Sequence, residues 1–116
     1  MVVGMISEEQ KSKRVLFHQL PNGKEPFVDW LNAMKDAKSR RRVLQRLSRL
    51  ESGNFGDCKP LKDGICELRL HFGSGYRVYY AEQGDTVVIL LCGGDKSTQS
   101  KDIAKAKEYW KSYETE

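Results

Sequence analysis

The clearest pattern along the chain is a strict alternation of apolar and polar residues over positions 66–72. Its period of two predicts a half-buried β-strand whose polar side chains share one face. The run Gly73-Ser74-Gly75 follows and predicts a tight turn, because glycine adopts positive φ at little cost. A return strand over positions 76–83 completes a β-hairpin, which we expect at the centre of the fold.

Helical periodicity marks two segments before this hairpin and one after it. Residues 26–37 place apolar side chains at the i, i+3, i+4 and i+7 positions of an amphipathic helix. Residues 40–51 form a second predicted helix with Ser39 as its N-cap. A final helix is predicted to begin at Ser100 or Asp102.

Two further strands complete the predicted fold. Residues 14–20 predict a first strand; residues 86–92 are apolar on both faces and predict a last strand that is central and covered on both sides. The order β-α-α-β-β-β-α indicates an α+β fold with a small, mostly antiparallel, twisted sheet and the helical pair on one face. The chain is predicted to form one domain over residues 1–116, with residues 1–13 as a flexible start.

Composition and charge narrow the range of functions. The net charge of +4 favours a polyanionic partner or an acidic protein. The three cysteines have no CxxC spacing and the two histidines lie far apart, so we expect no metal site and no cofactor. No apolar run approaches about 18 residues and no secretion signal is recognisable, so a cytoplasmic protein without a membrane span is the simplest expectation.

The polar face of the predicted hairpin carries the candidate chemistry. A tight hairpin brings four side chains together on that face: Arg69, His71, Arg77 and Tyr79. Glu67 is the only acid expected beside them, so the group suits an anionic ligand. The alternative is an ordinary antiparallel sheet with one solvated face.

The second predicted helix is strongly basic away from its apolar stripe. Few acids interleave with these cations, which favours a phosphate-bearing partner. The alternative is a solvated helix face, as most charge runs are. The basic residues in question are Lys38, Arg40, Arg41, Arg42, Arg46 and Arg49.

Three runs carry a resemblance that covers nearly the whole chain from Val15 onward. They are Gly53-Asn54-Phe55-Gly56-Asp57, the run from Glu67 to Tyr80, and the run from Leu90 to Gln99, which is followed by residues 102–106. These runs resemble the addiction module killer proteins, which are HigB-like toxins of the RelE/ParE superfamily and are related to phage Gp49-like proteins. The fold of that superfamily agrees with the predicted order of elements.

The resemblance implies a toxin of a type II toxin-antitoxin system. Its implied partners are a cognate antitoxin, expected to be a small helix-turn-helix protein from the adjacent gene, and messenger RNA on the ribosome. Many such toxins are metal-independent endoribonucleases in which the 2′-OH of the RNA attacks the adjacent phosphate. The same scaffold includes gyrase poisons, and inactive remnants that only bind the antitoxin form a further alternative.

The resemblance also implies roles for individual residues. Arg77 matches the arginine of the third strand that stabilises the phosphate charge, and Arg69 is the second candidate. His71 or Tyr79 is expected to transfer a proton, and an imidazole has the more suitable intrinsic pKa. Two more candidates precede the last helix, where related toxins place active residues: Asp95 and Lys96. Classical members also carry a tyrosine or histidine near the end of the chain that contacts RNA; here Tyr109 and Tyr113 fall within the last predicted helix, and the pattern assigns that contact to neither.

Overall fold

The structure is a computed structural model that describes residues 12–115. Of the start predicted to be flexible, residues 1–11 lie outside this range. The strands are β1 (Arg14–Phe17), β2 (Cys58–Pro60), β3 (Cys66–Leu70), β4 (Tyr76–Gln83) and β5 (Val87–Gly94). The α-helices are α1 (Pro26–Ala33), α2 (Ala37–Glu51) and α3 (Gln99–Glu114), with short 3-10 turns at Lys62–Gly64 and Lys96–Thr98.

The strands form one five-stranded sheet in the order β1-β5-β4-β3-β2. Among these strands of residues 12–115, only β1 and β5 run parallel, with Arg14 opposite Val87, and every other neighbouring pair is antiparallel. The predicted α+β fold with a mostly antiparallel sheet is therefore confirmed. β5 lies inside the sheet as expected, although β4 holds its middle position.

Each face of the sheet is covered by helices. The apolar side of the hairpin, including Leu68 and Val78, packs against the helical pair α1 and α2 through residues such as Phe27 and Leu47. The opposite face of β4 and β5 packs against α3, where Trp110 is buried. The predicted helical pair on one face is confirmed, and α3 closes much of the face on which the polar side chains of the hairpin lie.

Local capping chemistry sets the helix boundaries, and here the predictions need correction. The first helix ends at Ala33 rather than reaching residue 37. The second begins at Ala37 because Asp36, not Ser39, is its N-cap: the Asp36 carboxylate accepts hydrogen bonds from the Lys38 amide and the Ser39 hydroxyl. Helix α3 begins at Gln99, just before both predicted starts.

One strand was not predicted, and one is shorter than predicted. β2 is a three-residue edge strand that pairs with β3 and ends in Pro60. Proline donates no hydrogen bond to a sheet, so it suits such an edge. β1 ends at Phe17, short of the predicted residue 20.

Candidate functional site

Two arginines lie directly opposite each other on the central hairpin. Arg69 of β3 pairs in register with Arg77 of β4, so both side chains leave the same face of the sheet. Both turn to one carboxylate, since Arg69 Nε lies 3.1 Å from Glu67 Oε1 and Arg77 Nε lies 3.8 Å from Glu67 Oε2. The guanidinium groups therefore converge, and they lie away from the helical pair α1 and α2.

Glu67 is the centre of this cluster, with only 1% of its surface exposed. Besides Arg69, its carboxylate accepts hydrogen bonds from the Tyr79 hydroxyl at 3.1 Å and from Gln99 Nε2 at 2.8 Å. Burial alone would raise the pKa of Glu67, but the hydrogen bonds from Gln99, Arg69 and Tyr79 outweigh it and lower the pKa below its ordinary value. The residue is thus held ionised, and it balances part of the arginine charge.

Tyr79 does not stand on an open surface. Its side chain is fully buried in the core beneath α3, and its hydroxyl donates to Glu67. Burial and the neighbouring Glu67 charge raise the pKa of Tyr79 well above its ordinary value. The expectation of an exposed Tyr79 that exchanges protons with a substrate is therefore wrong, because α3 covers the ring.

A shallow surface cavity of about 430 Å³ opens beside the hairpin turn. It brings together three of the predicted site residues, which come from the end of β3, from β4 and from the loop after β5. Its lining consists of His71, Phe72, Gly73, Ser74, Gly75, Arg77 and Lys96. One imidazole and two cations thus line an open space that is large enough for a phosphate group or a nucleotide fragment.

A glycine in the hairpin turn lets Lys96 reach this cavity. Gly75 has φ of +79°, and a Cβ atom there would lie 2.9 Å from both Cγ and Cε of Lys96. The aliphatic part of Lys96 therefore crosses directly over the turn, in the space that a Cβ atom at position 75 would occupy. The Gly73-Ser74-Gly75 run predicted as a turn also shapes the cavity.

Asp95 joins the loop after β5 to the hairpin turn. Its carboxylate accepts hydrogen bonds from the amide and hydroxyl of Ser97, at 2.8 Å and 2.6 Å, and from the Ser74 hydroxyl at 3.0 Å. The hydrogen bonds from Ser97 and then Ser74 hold the pKa of Asp95 below its ordinary value, although slight burial opposes them. Asp95 thus fixes the positions of Ser74 and of the segment that carries Lys96.

His71 lies one residue beyond the end of β3, outside the arginine cluster. Its side chain is 70% exposed, and its Nε2 atom contacts Asp57 Oδ2. The hydrogen bond from His71 lowers the pKa of Asp57 below its ordinary value. His71 therefore shares the surface cavity with Arg77 rather than the Glu67 cluster, and its partner Asp57 was not among the predicted site residues. The sequence feature that could have pointed to Asp57 is its place as the acidic residue at the end of the run 53–57.

The basic helix α2 needs one correction. Arg46 was predicted to face a phosphate-bearing partner, but it is only 8% exposed. Its guanidinium donates to the backbone carbonyls of Phe55 at 3.0 Å, Asp57 at 2.9 Å and Arg69 at 2.6 Å. Arg46 therefore holds the protein's own backbone rather than facing a phosphate-bearing partner as predicted.

The other cations of α2 remain near or at the surface. Arg40 is half-buried and donates to the Met34 carbonyl, whereas the remaining four are exposed: Lys38, Arg41, Arg42 and Arg49. The Arg42 guanidinium lies 4.1 Å from the centre of the Phe72 ring. A second cavity of about 250 Å³ is lined in part by Arg42, Arg49, His71 and Phe72. Because His71 and Phe72 border both cavities, the basic helix and the hairpin site form one continuous surface.

The two C-terminal tyrosines lie elsewhere. Tyr109 and Tyr113 pack against the core beneath α3, and their rings lie 5.4 Å and 6.0 Å from that of His18. Neither residue lines the two cavities beside the hairpin. Over residues 12–115, no cluster of three or more His, Cys, Asp or Glu side chains is arranged to hold a metal ion. In the same range, no helix has the length and apolar character needed to cross a membrane.

Comparison with known proteins places the chain in a family. Residues 29–111 match the family model described as "Phage derived protein Gp49-like (DUF891)". A relative from Haemophilus influenzae (strain ATCC 51907 / DSM 11121 / KW20 / Rd), described as an uncharacterized protein, is 53% identical over 81 residues, which is 70% of this chain and 82% of the relative. The chain belongs to the phage-derived Gp49-like family, and its matched region contains the hairpin, the basic helix and the loop after β5.

Proposed function

We propose that this protein is the toxin of a type II toxin-antitoxin system, of the HigB-like branch of the RelE/ParE superfamily. In this proposal it inhibits translation by cutting messenger RNA on the ribosome, without a metal ion. The observation that carries the proposal is the shared cavity of His71, Arg77 and Lys96, which continues onto the basic face of α2. Membership of the Gp49-like family supports it.

The chemistry needs only groups that this surface offers. The ribose 2′-oxygen forms a bond to the adjacent phosphorus while the bond from phosphorus to the 5′-oxygen breaks. A base takes the proton of the 2′-OH and an acid returns a proton to the leaving oxygen. The products are a 2′,3′-cyclic phosphate and a free 5′-OH. His71 is suited to take the 2′-OH proton and to return a proton to the leaving oxygen, and Lys96 is suited to the phosphate oxygens. Arg77 lines the same cavity and adds positive charge beside them, although its Nη1 also donates to the Gly75 carbonyl at 3.1 Å.

The charge balance of the cluster fits a reaction in which negative charge increases. Arg69 and Arg77 together carry two positive charges, and the Glu67 carboxylate offsets one of them. Lys96 adds a further cation at the cavity. A phosphodiester carries one negative charge, and its transition state carries about two, so the two cations in the lining of the cavity, Arg77 and Lys96, favour the transition state over the bound substrate.

Two partners follow from the proposal. Messenger RNA and ribosomal RNA are the polyanions for the exposed cations of α2, which are Lys38, Arg41, Arg42 and Arg49, together with half-buried Arg40. The cognate antitoxin, a small helix-turn-helix protein from the adjacent gene, would cover the same cationic surface with an acidic segment. Excess antitoxin is then expected to abolish cleavage.

The test compares Lys96→Ala with Lys101→Ala, which removes an exposed lysine at the start of α3 that lines neither cavity. Each protein is induced in a host that lacks the antitoxin, and growth and the 5′ ends of transcripts are followed. We expect the wild type and Lys101→Ala to arrest growth and create new 5′ ends. Lys96→Ala should cleave on the order of 100-fold more slowly, the effect of losing one preorganised charge stabiliser.

Arg77→Ala is a second variant for the same test. Because Arg77 is buried and contacts Glu67, the fold of this variant must be checked by circular dichroism. Unchanged transcript ends after induction of the wild type would contradict the nuclease proposal. Growth arrest with intact transcripts and DNA damage signalling would instead support a gyrase poison. A folded protein that neither arrests growth nor cuts RNA, yet binds the antitoxin, would be a remnant.

A further inference from the structure

The run Gly53-Asn54-Phe55-Gly56-Asp57 has no role in the chemistry described so far. We propose that Asp57 is a positioning residue for His71, and that the loop is built to hold the Asp57 carboxylate against the imidazole. The proposal rests on the proposed function, because it concerns the group assigned there to proton transfer. It adds a residue that acts through another, without touching the RNA.

A buried guanidinium binds two backbone carbonyls of the loop and connects them to β3. Arg46 donates to the carbonyls of Phe55 and Asp57 in the loop and to the carbonyl of Arg69 in β3. The Arg69 amide donates in turn to the Asp57 carbonyl at 3.0 Å. Asp57 is therefore attached to the end of β3, two residues before the imidazole that its side chain contacts.

Gly56 makes this attachment possible. Its φ of +67° belongs to the left-handed region, and a Cβ atom on it would lie 2.8 Å from Nη2 and 2.9 Å from Nε of Arg46. A side chain at this position would push the guanidinium away from the carbonyls that it holds. Gly56 thus helps to hold the Asp57 carboxylate against the His71 imidazole.

The contact between the two side chains determines which nitrogen of the His71 ring carries the proton. Asp57 Oδ2 accepts from His71 Nε2, so Nε2 carries the proton of the neutral imidazole and Nδ1 is left as the acceptor nitrogen. A carboxylate that holds one ring nitrogen selects both the tautomer and the orientation of a histidine that transfers protons. The lowered pKa of Asp57 keeps its carboxylate ionised for this contact at neutral pH.

A purely structural ion pair predicts something different. The side chains of His71 and Asp57 are 70% and 45% exposed, and exposed pairs contribute little to the stability of a fold. Removal of the carboxylate should therefore leave the melting temperature almost unchanged, while it releases the ring. A matched control exists in Asp63, an exposed carboxylate that lies 3.4 Å from Lys107 on the α3 side.

The experiment compares the wild type with Asp57→Asn, Asp63→Asn and His71→Ala. Long-range ¹H–¹⁵N spectra, recorded with the imidazole neutral, report which ring nitrogen is protonated. We expect one tautomer, protonated at Nε2, in the wild type and in Asp63→Asn, and a mixture in Asp57→Asn. Cleavage by Asp57→Asn should fall roughly 10- to 100-fold, as for other residues that orient a reactive group, with the melting temperature retained.

In the His71→Ala background, Asp57→Asn should not slow RNA cleavage any further, because the two residues act as one unit. A wild type with mixed tautomers, or an Asp57→Asn variant that cuts RNA at the wild-type rate, would overturn the proposal. If the wild type cuts no RNA, the nuclease function fails, and the catalytic role of His71 fails with it. The tautomer measurement distinguishes that result, since it still shows whether Asp57 orients the ring.

Discussion

Replacement of Arg46 by methionine tests how much of the fold depends on one buried cation. Methionine keeps an unbranched apolar stem and a similar helix propensity, so α2 itself should persist. The change removes the guanidinium donors to the carbonyls of Phe55, Asp57 and Arg69. The loop after α2 would then lose its attachment to β3.

The magnitude follows from the number of carbonyl groups that lose a partner. The Asp57 carbonyl keeps the amide of Arg69, so its loss is partly compensated. The carbonyls of Phe55 and Arg69 each lose a hydrogen bond to a charged group, which contributes about 1.5 to 3 kcal/mol. We therefore expect the free energy of unfolding to fall by about 3 to 6 kcal/mol, a large part of the roughly 5 to 15 kcal/mol of a typical domain.

Urea unfolding followed by circular dichroism measures this difference. Arg49→Met is the matched control, because Arg49 is exposed on the same helix and should change the free energy of unfolding by less than about 0.5 kcal/mol. If Arg46→Met loses no more stability than Arg49→Met, the guanidinium does not hold the loop. The premise for the placement of Asp57 would then be refuted as well.

Two further predictions concern groups with perturbed pKa values. Because folding lowers the pKa of Glu67, its ionised form stabilises the fold above about pH 4.5, and this contribution is lost as the pH falls through the folded pKa. Between pH 7 and a pH below 4, the free energy of unfolding measured with urea should fall less for Glu67→Gln than for the wild type. Equal losses would argue against the stabilising role of the ionised Glu67 carboxylate. Burial, assisted by the Asp102 charge, raises the pKa of Cys92 to about 12, whereas Cys58 is exposed. Iodoacetamide at pH 8 should thus label Cys58 in the folded protein and Cys92 only after unfolding, and equal labelling rates would contradict this assignment.

Local patterns predicted the parts of the fold that depend on local physics. The alternation over residues 66–72 gave the hairpin, because a strand with one buried face must repeat every two residues. β2 escaped prediction because three residues that end in Pro60 carry no period. Likewise, the cap of α2 was misplaced because Asp36 and Ser39 are both good N-caps, and the structure joins them by a hydrogen bond.

The candidate site was harder to predict because it depends on contacts between distant segments. The burial of Tyr79 follows from the path of α3 across the sheet, which no local pattern contains. The burial of Arg46 had a visible signal. Val43, Arg46, Leu47 and Leu50 occupy the i, i+3, i+4 and i+7 positions of a single apolar stripe. An arginine within such a stripe indicates a buried cation that binds backbone carbonyls.

The parallel pairing of the first and last strands has a consequence for the protein's own biosynthesis. Arg14 has no strand partner until Val87 has been translated. Helices α1 and α2 therefore cannot pack against a complete sheet until the ribosome has reached β5. Lys96 follows later still. A nascent or prematurely terminated polypeptide that stops before Lys96 therefore lacks the finished surface. Under the function proposed above, the protein would become harmful only after the ribosome making it has passed this residue.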